Sequence, residues 1–404
     1  MSHPVFLTRV VLRNYKSIAA CSVELGPLTF LVGPNGAGKS NFLDALRLTT
    51  ESLNTSLEHA LRERGGIGEV RRRSSGHPTH FGVRLDFILP GGGTGWFAFK
   101  VGAQPKGRFE VQKEECHIHA SALETNFYIV ENGELKSFSE KVMPPAAPDR
   151  LYLVAAAGLP GFRPLYNALS KMGFYNLNPD EIRELQPTDP GDLLRRDGGN
   201  LASIFEVITK ERPEAYKQIV AFLSKVVPGV QDVEVKHVGK KETLEFRQMV
   251  GKNEAPWRFP AENMSDGTLR ALGVLTALYQ SFDGGGRQVP FVGIEEPEVA
   301  VYPGAAGILR DAIQAASATV QIVVTSHSPD LLDDKAIRDD YILGVVSEKG
   351  ETKIGPIDQG GRSAIRDQLY TAGELLRLNQ LTPDTKEIEN IPATQLELFG
   401  AVSK

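Results

Sequence analysis

The stretch GPNGAGKS, Gly33–Ser40, has the spacing G-x-x-x-x-G-K-S of a loop that wraps around phosphate groups. An apolar run, Leu28–Val32, precedes it and predicts a buried strand, and helical apolar spacing follows it over Asn41–Leu48. The motif requires this order of strand, glycine-rich loop and helix. Backbone N–H groups of the loop and the helix N-terminus would then face the phosphates. The sequence therefore predicts a nucleotide-binding loop rather than a chance glycine turn.

The side chains of this loop have separate predicted roles, and the expected ligands are ATP and Mg²⁺. Lys39 should reach the β- and γ-phosphates, and the Ser40 hydroxyl should ligate Mg²⁺. The residues of this region predicted to contact nucleotide are Gly33, Asn35, Gly36, Gly38, Lys39, Ser40 and Asn41.

The composition is that of an ordinary globular protein, with 404 residues, 41% of them hydrophobic and 24% charged. No apolar run approaches the roughly 20 residues needed to cross a bilayer, and the N-terminus lacks a signal-peptide pattern. Two cysteines, Cys21 and Cys116, stand outside metal-type pairs, which suits a reducing compartment. We therefore expect a cytoplasmic protein without a membrane partner. The net charge of −5 means that DNA contacts would need local basic patches.

The organisation along the chain predicts the α/β class, with a mixed sheet core, an antiparallel β subdomain and a helical insertion. Strand-like alternation and turn clusters occupy about 80 to 142, and helical spacing dominates from about 160 to 228. The predicted segments are an ATPase lobe with the glycine-rich loop and the β subdomain (1–150), a mostly helical insertion (151–255), a lobe with the remaining ATPase motifs (256–346), and a C-terminal extension with a flexible tail (347–404).

Three further motifs supply groups that hydrolysis of a nucleotide would need. An apolar strand ends in acidic residues, of which Glu295 is the candidate metal ligand and Glu296 the candidate general base. Ser265 and Gly267 immediately precede an apolar helix, where they would form a second phosphate-binding surface; alone, they indicate only a good N-cap. His327 follows another apolar strand, where an imidazole can hydrogen-bond a γ-phosphate.

The order of these motifs resembles the ABC-type ATPases. The N-terminal stretch Leu12–Ile18, the loop Gly33–Asn41 and the acidic stretch Gly293–Glu298 resemble the SMC/RecF-like branch. The resemblance spans about residues 5 to 345 and predicts a P-loop ABC-type ATPase head. The chain looks like the compact RecF-like ATPases, which are related to the ATPase half of OLD-family nucleases.

The chain departs from the family pattern in three ways. Glu295 stands where the wider family usually has aspartate. There is no long coiled coil, and the helical section near 160–228 takes its place, either as a partner-docking arm or simply as a lobe of the ATPase. Fewer than about 60 residues remain after the segment that carries His327 ends near residue 346, so no TOPRIM nuclease domain is expected.

The resemblance implies a reversible dimer. Two heads of such ATPases sandwich two ATP molecules, so that Lys39 and Ser40 of one copy face Ser265 and Gly267 of the other. Hydrolysis by Glu296 would separate them. The expected function is an ATP-dependently dimerising ATPase in DNA maintenance or phage defence, with DNA and a separately encoded nuclease or other effector as partners. The alternatives are the ATPase subunit of an ABC transporter and a P-loop kinase acting on a small molecule.

Other residues carry secondary predictions. Arg13 and Lys16 are candidate contacts to nucleotide or to the DNA backbone. Arg62, Arg64 and the run Arg71–Arg73 are alternative phosphate contacts. Gln186 is a candidate for a glutamine-bearing lid, and Val299–Pro303 corresponds to a segment that crosses the dimer interface in relatives.

Histidine spacing gives one more candidate, which we interpret as structural. His117 and His119 would share one face of a predicted strand. A metal site needs a third ligand, and none is clearly placed, so we interpret the pair as part of a polar outer face.

The C-terminal stretch Gln395–Gly400, with sequence QLELFG, resembles the peptide by which bacterial DNA polymerases and repair proteins bind the sliding clamp. Leu396, Leu398 and Phe399 would fill an apolar groove, and Gln395 would make a polar contact. The alternative is a last helical turn that packs its leucines on the body of the protein.

Overall fold

The computed structural model describes residues 5–74, 76–89, 91–120, 124–251, 255–281 and 288–400. The strands found there are β1 (Leu7–Tyr15), β2 (Ile18–Glu24), β3 (Leu28–Val32), β4 (His80–Ile88), β5 (Thr94–Ala103), β6 (Phe109–His119), β7 (Thr125–Glu131), β8 (Glu134–Phe138), β9 (Gly173–Tyr175), β10 (Gln186–Pro187), β11 (Val230–Val238), β12 (Lys241–Gln248), β13 (Trp257–Pro260), β14 (Phe291–Glu295), β15 (Gln321–Ser326), β16 (Ile342–Glu348) and β17 (Glu351–Pro356).

The α-helices in the same ranges are α1 (Lys39–Asn54), α2 (Leu57–Arg62), α3 (Ile67–Val70), α4 (Leu153–Ala156), α5 (Arg163–Ser170), α6 (Pro179–Arg183), α7 (Leu201–Glu211), α8 (Pro213–Val226), α9 (Asp266–Tyr279), α10 (Pro303–Ala316), α11 (Gln359–Arg366), α12 (Ala372–Arg377) and α13 (Thr385–Glu389). None of them is long and apolar enough to cross a bilayer.

The chain forms two compact units, each built from discontinuous stretches. The first contains Met1–Met172, Asp340–Arg362 and Leu381–Lys404, and the second contains Gly173–Asp339 and Ser363–Gln380. The four segments expected from the sequence remain a prediction.

The first unit contains a seven-stranded sheet in the order β2-β1-β4-β5-β6-β7-β8, in which every neighbouring pair is antiparallel. Buried and less buried residues alternate in β7 and in the second half of β4, and aromatic side chains pack on the buried face. Phe81 packs edge-on against Tyr15 with ring centroids 5.7 Å apart, and Phe99 packs edge-on against Phe81. The strand-rich section predicted near 80–142 is thereby confirmed as β4 to β8.

The first unit also pairs a strand from the N-terminal part of the chain with strands from its C-terminal part. All five residues of β3 are buried, as expected for a strand covered on both faces. β3 pairs in parallel with β16, and β16 pairs antiparallel with β17. The strand that leads into the glycine-rich loop therefore depends on residues more than 300 positions later in the sequence.

The second unit contains two groups of strands. β14 pairs in parallel with β15 and with β9, and its first four residues are buried. β12 pairs antiparallel with β10, β11 and β13. Helix α9 is buried continuously from Thr268 to Leu278, so it is a core helix rather than an amphipathic surface helix.

The C-terminal stretch packs on the sheet of the first unit. Leu398 is buried, and a Cβ placed on Gly82 of β4 would lie 2.1 Å from its Cδ1 atom, so the leucine occupies the space beside this glycine. Arg84 donates a hydrogen bond to the Leu398 carbonyl oxygen at 3.4 Å, and the Lys113 ammonium lies 4.9 Å from the centroid of the Phe399 ring. The sequence predicts a flexible C-terminal tail, whereas the structure shows the residues around Leu398 packed on the seven-stranded sheet.

We expect Leu398→Ala to lower the free energy of unfolding by about 2–3 kcal/mol, because it empties the space above Gly82. Urea unfolding can be followed through Trp96, which lies beside Gly400, with the exposed Trp257 changed to Phe in every variant. Glu397→Ala, which removes an exposed side chain from the same stretch, is the control. Equal midpoints for the two variants would contradict the packing.

Candidate functional site

The glycine-rich loop joins β3 to α1, as the sequence predicts, and the β16–β17 hairpin lies against it. A Cβ on Gly33 would lie 2.0 Å from the Val345 carbonyl oxygen, and one on Gly38 would lie 2.1 Å from Thr352 Oγ1. Gly38 also has a φ of +103°, which side chains disfavour. Both glycines are therefore required by close packing of the loop on its neighbours, in addition to any contact with phosphate.

A chain of hydrogen bonds fixes the loop from behind. Asn41 Nδ2 donates to Ser17 Oγ at 2.6 Å, Ser17 Oγ lies 2.6 Å from Thr352 Oγ1, and Thr352 Oγ1 donates to the Ala37 carbonyl oxygen at 2.8 Å. The structure thus gives Asn41, a predicted nucleotide contact, a role in positioning the loop. Sequence reasoning missed Thr352, which lies in no motif.

Lys39 is folded back over its own loop. Its Nζ donates to the carbonyl oxygens of Gly33 at 2.8 Å and Pro34 at 3.1 Å, and the residue is buried. Asn35, Gly36 and Ser40 are exposed. The ammonium group is therefore held at the loop, and phosphate oxygens can replace the two carbonyl oxygens as its acceptors.

Behind the loop, a buried charge cluster surrounds Asp44 on α1. Lys16 Nζ and Arg47 Nη2 each lie 2.6 Å from its carboxylate, Arg64 Nη2 lies 2.9 Å away, and Tyr15 donates to it at 2.8 Å. Burial alone would raise the pKa of Asp44, but the charges of Arg64, Lys16 and Arg47 outweigh it and hold that pKa well below its usual range. Lys16, a predicted nucleotide or DNA contact, is here a partner of Asp44.

The other basic candidates have neighbours within the protein. The pKa of His80 is lowered, first by burial and then by the positive charges of Lys100 and Arg13. Arg13 therefore lies close to His80. The three residues of the basic run, Arg71–Arg73, have contacts in the first unit: Arg71 donates to the Pro78 carbonyl oxygen, Arg72 to the Ser17 carbonyl oxygen and Glu351, and Arg73 to Glu69.

The acidic motif lies in the second unit, at the end of β14. Glu295 accepts a hydrogen bond from Arg196 Nη2 at 2.9 Å. Glu296 adopts a left-handed backbone conformation with φ of +46°, and its Oε1 lies 3.3 Å from His327 Nδ1. The structure therefore brings together the predicted general base and the predicted histidine. A strained backbone at such a residue is typical of functional positions.

Arg270 holds this acidic turn in place and was missed at the sequence level. It is buried and donates to the carbonyl oxygens of Leu177 at 2.8 Å and Glu296 at 3.1 Å. Burial lowers the pKa of Arg270, partly offset by the charges of Glu298, Glu296 and Glu295. Its position inside the apolar helix α9 gives little signal in the sequence.

Ser265 and Gly267 occupy the N-terminus of α9 as predicted. The Ser265 hydroxyl accepts a hydrogen bond from the Thr268 N–H at 3.2 Å, so Ser265 is the N-cap. A Cβ on Gly267 would lie 2.4 Å from the Ala300 carbonyl oxygen, which shows that the segment Val299–Pro303 passes close to the helix start.

The prediction of a lid glutamine at Gln186 is wrong. Its side chain is buried, and Nε2 donates to the carbonyl oxygens of Glu181 and Gly198, while Oε1 accepts from the Ala202 N–H. With its amide bonded on both sides, Gln186 is a structural residue.

Two sequence families match the chain. Residues 6–130 match the family described as "AAA ATPase domain", and residues 171–333 match the family described as "AAA domain, putative AbiEii toxin, Type IV TA system". Among curated proteins, the DNA replication and repair protein RecF of Magnetococcus marinus is 37% identical over 83 residues, 19% of this chain and 22% of RecF. RecF of Vibrio vulnificus is 42% identical over 43 residues, 10% of this chain and 12% of RecF. The matched stretches thus span about a fifth or less of the length of RecF.

Solved structures share the fold. An SMC head bound to the C-winged helix domain of ScpA superposes with a TM-score of 0.55 and 14% identity, covering 88% of this chain and 99% of that one. The Smc head domain with an extended coiled coil, bound to the C-terminal domain of ScpA from Pyrococcus furiosus, gives 0.56 and 13%, covering 90% and 99%. Parts of this chain are therefore similar in sequence to AAA-family ATPase domains and to RecF, and its fold is that of the SMC heads. The predicted α/β head fold is confirmed, and the relation to OLD-family nucleases remains a prediction.

We expect Asp44→Asn to lower the free energy of unfolding by about 3 kcal/mol, because it removes the buried carboxylate that three cations share, while Arg64 keeps its ion pair with Glu51. The pKa of Asp44 is lowered by folding, so its stabilisation is present above the ordinary value of 3.8 and is lost as the pH falls through the folded-state pKa. The difference from wild type, measured by urea unfolding, should therefore shrink below about pH 4.

The control for this change is Glu58→Gln, which breaks the exposed pair with Arg62 on α2. We expect it to change stability by no more than about 0.5 kcal/mol. A difference between Asp44→Asn and wild type that stays constant down to pH 2 would contradict the assigned ion pairs.

Proposed function

We propose that this chain binds ATP with Mg²⁺, hydrolyses it to ADP and phosphate, and uses the cycle in DNA maintenance or phage defence. The observation that carries the proposal is the contact between Glu296 and His327 at the end of β14, made by a glutamate in a strained backbone conformation. The family matches and the preformed loop around Lys39 support the same conclusion.

The residues present suit the expected nucleotide and metal. Lys39 would exchange the carbonyl oxygens of Gly33 and Pro34 for the β- and γ-phosphate oxygens. Ser40 offers an exposed hydroxyl and Glu295 a carboxylate, the hard oxygen ligands that Mg²⁺ prefers. When bound, the cation would neutralise charge on the phosphate oxygens.

Within this proposal, Glu296 accepts a proton from the attacking water, and His327 orients its carboxylate or contacts the γ-phosphate. Arg196 bonds the Glu295 carboxylate in the structure, so it either orients that carboxylate or leaves it when the metal binds. Arg270 keeps the Glu296 backbone in place through the carbonyl oxygen and acts as a positioning residue.

We further propose that two copies close around ATP, with Lys39 and Ser40 of one facing Ser265 and Gly267 of the other. The segment Val299–Pro303, which passes close to Gly267, supports this, because it presents Tyr302 with 78% of its surface exposed. An exposed aromatic residue beside a phosphate-binding helix start is suited to an interface.

The link to DNA is supported by the RecF relatives, which are described as DNA replication and repair proteins. A separately encoded effector and the sliding clamp remain predicted partners. Clamp binding through Leu398 and Phe399 would require the C-terminal stretch to leave the sheet, because Leu398 is buried there.

Lys39→Ala should abolish ATP binding, because the two hydrogen bonds that its charge would give the phosphates are worth about 1.5–3 kcal/mol each. We expect at least about a 100-fold loss of affinity for a non-hydrolysable ATP analogue by isothermal titration calorimetry. Lys141→Ala, which removes an exposed lysine from the same unit, should bind like wild type. Tight binding by the Lys39 variant would refute the assignment of the loop.

Glu296→Gln should trap an ATP-bound dimer, because it removes the general base and keeps the shape of the side chain. Size-exclusion chromatography with light scattering should show a dimer that persists with ATP and Mg²⁺, whereas wild type returns to monomer as ATP is consumed. Glu262→Gln, an exposed change, should behave like wild type. An unchanged monomer fraction in the Glu296 variant would rule out the sandwich.

A further inference from the structure

A cluster of three metal-type side chains lies in the second unit, outside the proposed ATPase residues. His237 and Glu242 are paired residues of the β11–β12 hairpin, so their side chains project to the same face. Glu206 reaches them from helix α7. One nitrogen or carboxylate oxygen from each of the three residues lies within 4.8 Å of the others.

Glu242 distinguishes this cluster from a group of exposed acidic residues, because its carboxylate is buried. Its side chain is fully buried, and its Oε1 accepts a hydrogen bond from the Ser203 hydroxyl. Ser203 in turn accepts from the Asp189 N–H at 3.0 Å, so the carboxylate is held in one orientation. Glu242 Oε2 is buried without a hydrogen-bond partner in the described part of the chain and lies 3.8 Å from His237 Nδ1.

A buried carboxylate oxygen without a hydrogen-bond partner costs free energy. Burial first, and then the charge of Glu206, raise the pKa of Glu242. On the exposed side of the cluster, Lys210 Nζ bonds Glu206 Oε1 at 2.7 Å. A cation beside Glu242 Oε2 would supply the partner that this oxygen lacks.

The other two side chains are accessible and adjustable. His237 has 53% of its side chain exposed and Glu206 has 26%, and His237 Nε2 lies 3.2 Å from Glu206 Oε1. Ligand atoms around a tetrahedral zinc ion lie about 3.4 Å apart, given bonds of about 2.1 Å. Small rotations of these two side chains would close the cluster around an ion, while Glu242 stays fixed.

We propose that Glu206, His237 and Glu242 bind a divalent transition-metal cation of the zinc class, with water completing the coordination. One imidazole nitrogen with two carboxylate oxygens suits Zn²⁺, whereas Mg²⁺ favours oxygen ligands alone. Ser203 is the positioning residue that orients Glu242. The bound ion would tie the β11–β12 hairpin to helix α7, and it would be distinct from the Mg²⁺ proposed to accompany ATP.

The test is a Zn²⁺ titration of the full chain, freed of any affinity tag and of nucleotide, in competition with a chelating dye. We expect one Zn²⁺ per chain that excess Mg²⁺ does not displace. His237→Ala and Glu242→Gln should each weaken binding by more than the roughly 10- to 100-fold typical of an outer residue, and Ser203→Ala should fall within that range. His59→Ala, which removes an exposed histidine from α2, should match wild type.

A second measurement keeps the proposal testable should Glu242→Gln fold poorly. His237 is exposed, so His237→Ala should retain the fold, and Zn²⁺ should raise the melting temperature of wild type and not of this variant. X-ray absorption should show one imidazole among oxygen ligands. Zn²⁺ affinity in His237→Ala equal to wild type, or a sulfur-ligated ion, would overturn the proposal.

Discussion

The close approach of the glycine-rich loop to the β16–β17 hairpin is the constraint on which the first unit depends. Gly33 lies against the Val345 carbonyl oxygen and Gly38 against Thr352, so neither position tolerates a side chain. The hydrogen-bond chain through Ser17 and Thr352 ends on the backbone of the loop itself. A site encoded within eight consecutive residues thus acquires its shape from a hairpin about 310 residues away. The conformation of the glycine-rich loop therefore depends on the folded unit as well as on the local sequence. Bringing the hairpin to this loop closes a chain segment of about 300 residues, which costs conformational entropy.

Buried charges position motif residues in each of the two units, by different means. In the first unit, three cations surround Asp44 and fix α1 behind the loop. In the second, Arg270 donates to backbone carbonyl oxygens and holds the turn that presents Glu296. Buried ionic groups seldom add net stability relative to an apolar core. We therefore interpret their presence next to the motifs as a means of fixing geometry, which is the requirement of a site that must contact phosphate oxygens.

Features that depend on neighbouring residues could be predicted from the sequence, and features that depend on contacts between distant residues could not. The loop, the β subdomain and the separate positions of Glu296 and His327 at strand ends could be predicted, because strand ends and glycine spacing are local signals. The contact between Glu296 and His327 could not. The same holds for Thr352, Arg270 and Asp44, because each acts through contacts with residues distant in sequence. Histidine spacing gives no signal for the cluster around His237, because the pair that it singles out is His117 and His119. The conspicuous His117 stacks between Trp96 and Phe127, whereas His237 meets carboxylates that only the hairpin and helix α7 bring near it.

The C-terminal stretch suits two binding sites, the protein's own sheet and the groove of a sliding clamp. It cannot occupy both at the same time. Leu398 and Phe399 are the side chains a clamp groove would take, and they are the ones that contact the sheet around Gly82 and Lys113. Burial of Leu398 worth about 2–3 kcal/mol would leave the stretch released in only a small fraction of molecules. The apparent affinity for a groove would then fall roughly 30- to 150-fold below that of the free peptide. Any partner that binds this stretch therefore has to compete with the protein's own sheet, and changes in the sheet near Gly82 would alter partner binding without touching the motif.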